Sequence, residues 1–182
     1  MDPTASGARA ARSCAAGGRR NRAAGGRDRS RGLTSAPARQ RRRVRPKPGL
    51  EARRLALLAL FEEEFRPAQA VVALDRMADE QGSEPAVATH ARAIVDGVLA
   101  RRAELDSRIA SLAPVIPVSE LGRIERTILR SALWEMLYSA ATSSGETIHD
   151  AVSLARTYSG DAARRLVNGV LGSVARSSPG GS

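Results

Sequence analysis

The chain is poor in the residues that carry most catalytic and extracellular chemistry. Its one cysteine, Cys14, excludes a disulfide framework and a cysteine metal site, which suits a reducing compartment. Its two histidines, His90 and His149, form neither an H-x-x-x-H nor an H-E-x-x-H spacing. His149-Asp150 lacks the further His and Asp ligands of a metal-dependent phosphohydrolase and reads as helix surface or first-turn chemistry. No G-x-G-x-x-G, P-loop or G-x-S-x-G is present. Three consecutive glutamates (62–64) point in different directions on a helix and read as a solvated face rather than paired acid–base carboxylates. No catalytic residue, cofactor or metal is therefore assigned. Apolar runs fall far short of the ~20 residues that span a bilayer, and the N-terminus lacks the apolar core of a secretory signal. Aromatics are scarce: Phe61, Phe65, Trp134, Tyr138 and Tyr158. Phe61 and Phe65, four apart, read as core rather than as a stacking platform.

Acidic residues are also missing from one end. Residues 1–49 hold 14 Arg and Lys against Asp2 and Asp28, while the rest of the chain is near neutral, so the formal +10 belongs to the N-terminal arm. That arm has no aromatic residue, repeated Gly-Gly and many arginines, and cannot bury enough surface to fold alone. It superficially resembles an organelle transit peptide. Leu33 and Val44 are its only sizeable aliphatics, however, too few for an amphipathic helix. A positive arm calls for a polyanionic partner. "RQRRRVRPK" (39–47) leads toward Arg53 and Arg54, an arrangement suited to RNA phosphates; a solubilising or localisation tail is the plain alternative.

"RPKPG" (45–49) marks a boundary. Beyond it the pattern is helical throughout: 50–65, 67–81 opened by Pro67, a long stretch from 84 to about 112 capped by Ser83, 123–139, 147–158 and 162–176. Pro114 and Pro117 interrupt this pattern, Gly97 can bend the long stretch, and Asp161 is a natural cap for the last helix. Arg123, Arg126 and Arg130 make a second basic set, which Glu125 and Glu135 could equally pair internally. No strand-period run appears. The reading is an all-α fold of about seven helices in two halves.

Each half ends near one phrase, "IVDGVLA" (94–100) and "LVNGVLG" (166–172). Asn-Gly is a strong hairpin signal, yet Leu166, Val170 and Val174 are spaced by four, as are Val167, Leu171 and Ala175. Both phrases therefore read as helix, with Gly97 and Gly169 admitting a neighbouring backbone.

"ARRLALLALFEEEF", "IVDGVLARRAELDSRI", "LGRIERTILRSALWEM", "IHDAVSLARTY" and "LVNGVLG" stand in the order and spacing of the NusB family, which residues 50–176 resemble. The resemblance implies two packed three-helix sub-bundles plus an extra helix, after a disordered arm (1–49) and before a short flexible tail (177–182). It implies a bacterial, cytoplasmic antitermination factor that binds boxA RNA of ribosomal-RNA leaders together with the small-subunit ribosomal protein NusE. That complex then joins RNA polymerase and other Nus factors; homodimers are compatible with the pattern. By position, Arg53 and Arg54 continue the family's basic patch for RNA, joined upstream by Arg41, Arg42 and Arg43. Phe61 takes its aromatic position, and Glu125, Tyr158 and Asp161 fall on the partner and RNA face. The family's usual I-N-E-A-V reads Ile148-His149-Asp150-Ala151-Val152 here, its Phe before V-N-G is Leu166, and a Gly is replaced by Ser159. The alternatives are the RNA-recognition module of an rRNA methyltransferase, of which this would be a fragment, and a helical interaction scaffold with a nonspecific basic tail.

Overall fold

The computed structural model describes residues 47–114, 116–140 and 142–177. The arm, with Arg41, Arg42 and Arg43, and the last residues 178–182 lie outside them. Among the described residues six α-helices follow in order: α1 (Pro48–Glu63), α2 (Ala70–Gln81), α3 (Pro85–Ala100), α4 (Arg102–Leu112), α5 (Arg123–Tyr138) and α6 (Ser144–Ser177); a 3-10 turn, Val118–Glu120, precedes α5. No strand occurs among the described residues.

Helices α1, α2 and α3 pack as one sub-bundle and α4, α5 and α6 as the other, with α1 lying against α5 and α6 across the junction. The sequence of α1 explains its central place. Ala52, Leu55, Ala56, Leu57, Ala59 and Leu60 are all buried, so it is apolar around most of its girth, as a helix enclosed by others must be. From the second half, Leu105, Ile109, Leu129, Leu133, Val167 and Leu171 complete the core.

The breaks differ from the expected ones in instructive ways. The long 84–112 stretch does break, but at Arg101 (φ −121°, ψ 20°), not at Gly97. Helix α2 starts at Ala70, three residues after Pro67. Between them Ala68 adopts φ +64°, an uncommon left-handed conformation for a residue with a Cβ. The Glu63 carboxylate holds that turn, accepting the backbone N–H groups of Ala68, Gln69 and Ala70 at 2.7–2.8 Å. Ser83 caps nothing: its hydroxyl is buried without a hydrogen-bond partner, and Glu84 occupies the cap position of α3. Helix α6 is two helices meeting at Gly160 (φ 86°, ψ −169°), so the gap expected between the helices 147–158 and 162–176 is a sharp break in one long element.

The two glycine positions also part company. A Cβ on Gly97 would stand 2.0 Å from the Trp134 indole, so the close neighbour there is a side chain of α5 rather than a backbone. Nothing lies within 4 Å of the Cβ position of Gly169, which is exposed. The last helix buries Val167, Val170 and Leu171 and turns Asn168-Gly169 outward, so the expected close packing at Gly169 is corrected.

Candidate nucleic-acid and partner interface

Arg53 and Arg54 are consecutive on α1, so their side chains leave the helix about 100° apart and meet different worlds. Arg53 is 3% exposed and points into the junction. Its Nε and Nη2 donate to the two Glu135 oxygens at 2.8 and 3.1 Å, and Nη1 donates to Asp150 Oδ2 at 2.5 Å. Nη2 also reaches Thr147 Oγ1 at 3.3 Å, and His90 Nε2 stands 3.0 Å from Glu135 Oε1. Burial pulls the Arg53 guanidinium down, but the bonds and charges of Glu135 and Asp150 more than offset it and raise it above its ordinary value. Burial likewise pushes Glu135 up, and His90 and Arg53 overturn that, holding it below the usual carboxylate range. Arg53 is therefore an internal clamp between the two sub-bundles, not an RNA contact. Asp150, read as surface chemistry, is its buried partner.

Glu64 plays the matching part at the other end of α1. Arg102, Arg126 and Arg130 donate to it at 2.7, 2.6 and 2.8 Å, and Arg130 also grips Asp106 through two bonds of 2.7 and 2.8 Å. Burial pushes Glu64 up while Arg126 and Arg130 hold it below the usual range. The three glutamates are thus not a solvated face: Glu62 pairs with Arg76, Glu63 caps a helix and Glu64 gathers three arginines. Arg126 and Arg130 are paired inside, though by Glu64 and Asp106 rather than by Glu125 or Glu135.

The remaining site residues lie toward solvent. Arg54 Nε donates to Tyr158 Oη at 2.9 Å, and Nη1 donates to Gln81 Oε1 at 3.2 Å, joining α1, α6 and the end of α2. Ser159, next along, donates its hydroxyl to Glu125 Oε1 at 2.5 Å, which ties the same stretch of α6 to the first turn of α5. Phe61 and Glu125 line one open groove of about 530 Å³ with Phe65, Leu121, Arg123 and Arg126. Phe65 lies beyond the end of α1 and is 56% exposed, its ring edge-to-face with Phe61 at 5.1 Å and covered on one side by the Arg123 guanidinium at 4.4 Å. The pair read as core is a half-buried base carrying an exposed ring. Asp161 is exposed and accepts from Arg164 Nε at 3.1 Å, with Arg156 at 4.0 Å.

Phe65, Arg123 and Gln81 were not singled out from the sequence for this face. Nothing in the spacing of Phe65 shows that α1 ends two residues before it, and Gln81 carries no motif. Among the described residues no group of three or more His, Cys, Asp or Glu could hold a metal, and no helix is long and apolar enough to cross a membrane.

Residues 50–176 match the model of the NusB family. The chain belongs to the NusB family. Among its relatives, the transcription antitermination protein NusB of Geotalea uraniireducens (strain Rf4) is 32% identical over 133 residues, covering 69% of this chain and 92% of its own length. NusB of Leifsonia xyli subsp. xyli is 33% identical over 132 residues, covering 71% and 92%. A T. maritima NusB structure is 25% identical and superimposes with a TM-score of 0.67 over 72% of this chain and 92% of that one. A crystal structure of the antitermination factors NusB and NusE with dsRNA matches at 24% identity, TM-score 0.66, over 72% and 98%; that likeness speaks for the NusB fold alone.

Proposed function

We propose that the protein is a non-enzymatic, RNA-binding transcription antitermination factor of the bacterial cytoplasm. It binds boxA-type single-stranded RNA of ribosomal-RNA leaders together with the ribosomal protein NusE, and acts through that complex on RNA polymerase with the other Nus factors. The observation that carries this reading is the family match over the whole helical unit, with relatives near 30% identity named for antitermination. The surface chemistry supports it. Arg54 offers an exposed-side cation for phosphates, and the Phe61–Phe65 ring pair with Arg123 offers a stacking edge for an unpaired base or an apolar partner side chain. Glu125 and Asp161 give that face acidic points, suited to a basic ribosomal protein. On this proposal Arg41, Arg42 and Arg43 add phosphate contacts from the arm, which raises affinity without adding sequence preference.

Fluorescence anisotropy tests the reading, using a boxA-type RNA and a scrambled control, with and without NusE, across a salt series. The full chain is compared with one beginning at Lys47. Preference for boxA that survives removal of the arm, and tightens with NusE, is the expected result. Binding that follows the arm alone and ignores both sequence and NusE would sink the proposal in favour of a nonspecific polyanion-binding tail.

A further inference from the structure

We infer that Arg54, Tyr158 and Gln81 together form a preorganised cradle for one backbone phosphate, an assignment that rests on the RNA reading above and makes it specific. The contrast is with the buried, charge-paired arginines of the helical unit. Arg53, Arg126 and Arg130 are fixed by carboxylates, which cancel the charge they hold in place. Arg54 is fixed by two neutral oxygens, the Tyr158 hydroxyl at 2.9 Å and the Gln81 amide oxygen at 3.2 Å. Its guanidinium is therefore located without being neutralised.

Counting protons gives the ligand class. A guanidinium has five N–H donors. One on Nε and one on Nη1 are engaged, leaving one on Nη1 and both on Nη2. Tyr158 Oη accepts from Arg54, so its own O–H is free to donate outward. Gln81 accepts through Oε1, so its two amide N–H groups are free as well. Three side chains from α1, α2 and α6 thus offer six further N–H and O–H donors around one full positive charge. A phosphodiester, with two anionic oxygens that accept and nothing to donate, saturates such a set; a cation or a neutral amide does not. In sequence the "RQRRRVRPK" run (39–47) ends seven residues before Arg54. Because two bonds already fix the arginine, binding avoids most of the rotamer cost a free surface arginine bears.

The test uses the full-length protein, fluorescein-labelled boxA-type RNA and its scrambled control over a salt series. Arg54→Gln should weaken binding about tenfold and reduce the dependence of log K on log salt by about 0.7, the share of one single-strand phosphate. Tyr158→Phe, which deletes one hydroxyl, and Gln81→Ala, at an exposed position, should each weaken binding about threefold. Adding Tyr158→Phe to Arg54→Gln should cost less than Tyr158→Phe does in the wild type, because the charge that draws the phosphate is gone. A methylphosphonate at one linkage should weaken the wild type clearly more than Arg54→Gln, a readout that a merely structural role would not move. If Arg54→Gln does not fold, Tyr158→Phe and Gln81→Ala carry the test with the same methylphosphonate scan. Wild-type affinity and salt slope in these variants, with boxA still preferred over the control, overturns the cradle and leaves the RNA reading standing. A lowered slope in Arg54→Gln without any preference for boxA keeps the cradle and removes the boxA reading.

Discussion

Arg53 and Glu135 face each other as two forks, Nε to Oε2 at 2.8 Å and Nη2 to Oε1 at 3.1 Å, both side chains almost wholly buried where α1 crosses α5. Replacing Arg53 by Ala strands Glu135 and Asp150 without their cation in the core. The expected loss is about 3–5 kcal/mol of stability, read as a lowered urea midpoint. Arg53→Lys keeps the charge but cannot make the paired bonds, and should lose less. If Arg53 were a phosphate contact, the charge-removing Arg53→Gln would lower the salt slope of RNA binding by about 0.7; an internal clamp leaves the slope of the folded variant at the wild-type value.

Acid should loosen the same junction. Glu135 and Glu64 are both held below their ordinary value of 4.5 by the arginines and, for Glu135, by His90. A carboxylate with a lower pKa in the folded than in the unfolded state contributes stability that is complete above the unfolded value. That contribution is lost as pH falls through the folded one, because the unfolded chain then binds more protons. Thermal melts should therefore be flat with respect to these groups above about pH 5 and decline steeply below it. A melting temperature unchanged from pH 6 to pH 3 would contradict this assignment of the two clusters.

Much of the fold is legible in the sequence because period-3.6 burial is redundant: Val167, Val170, Leu171 and Val174 each repeat the same message. The buried polar residues are not. Arg53 and Arg54 are identical letters side by side, and only the packing of α5 and α6, dozens of residues away in sequence, decides which one is buried. The same holds for Glu62, Glu63 and Glu64, which end in three different environments. Gly97 and Gly169 sit in matching phrases, yet only Gly97 meets a large side chain, since its neighbour comes from another helix. Residue type and spacing give the face of a helix; long-range partners give each polar residue its role.

That glycine contrast is directly testable. Gly97→Ala places a methyl group where the Trp134 indole lies at 2.0 Å and should cost about 1–3 kcal/mol as overpacking. Gly169→Ala adds the same methyl group in open space on an exposed helical turn. It should stabilise by up to about 1 kcal/mol through helix propensity. Chemical denaturation of both variants gives the two signs. Destabilisation by Gly169→Ala would contradict the open, outward placement of that position.

Gly160 is the last position where a single methyl group decides a backbone. Its φ of 86° with ψ of −169° lies in a region open essentially to glycine alone, and it splits α6 between Ser159, bonded to Glu125, and Asp161, paired with Arg164. Gly160→Ala must either adopt the strained angles, at about 1–3 kcal/mol, or straighten α6. Straightening would shift Tyr158 and Ser159 relative to α1 and α5, breaking the bonds to Arg54 and Glu125. Both routes lower stability, but they separate in RNA binding. Strain alone leaves the affinity of the folded variant intact, whereas a straightened helix removes the Tyr158 hydroxyl from Arg54 and reproduces the roughly threefold weakening expected of Tyr158→Phe. Measuring the melting temperature and the RNA affinity of Gly160→Ala side by side identifies which route the chain takes.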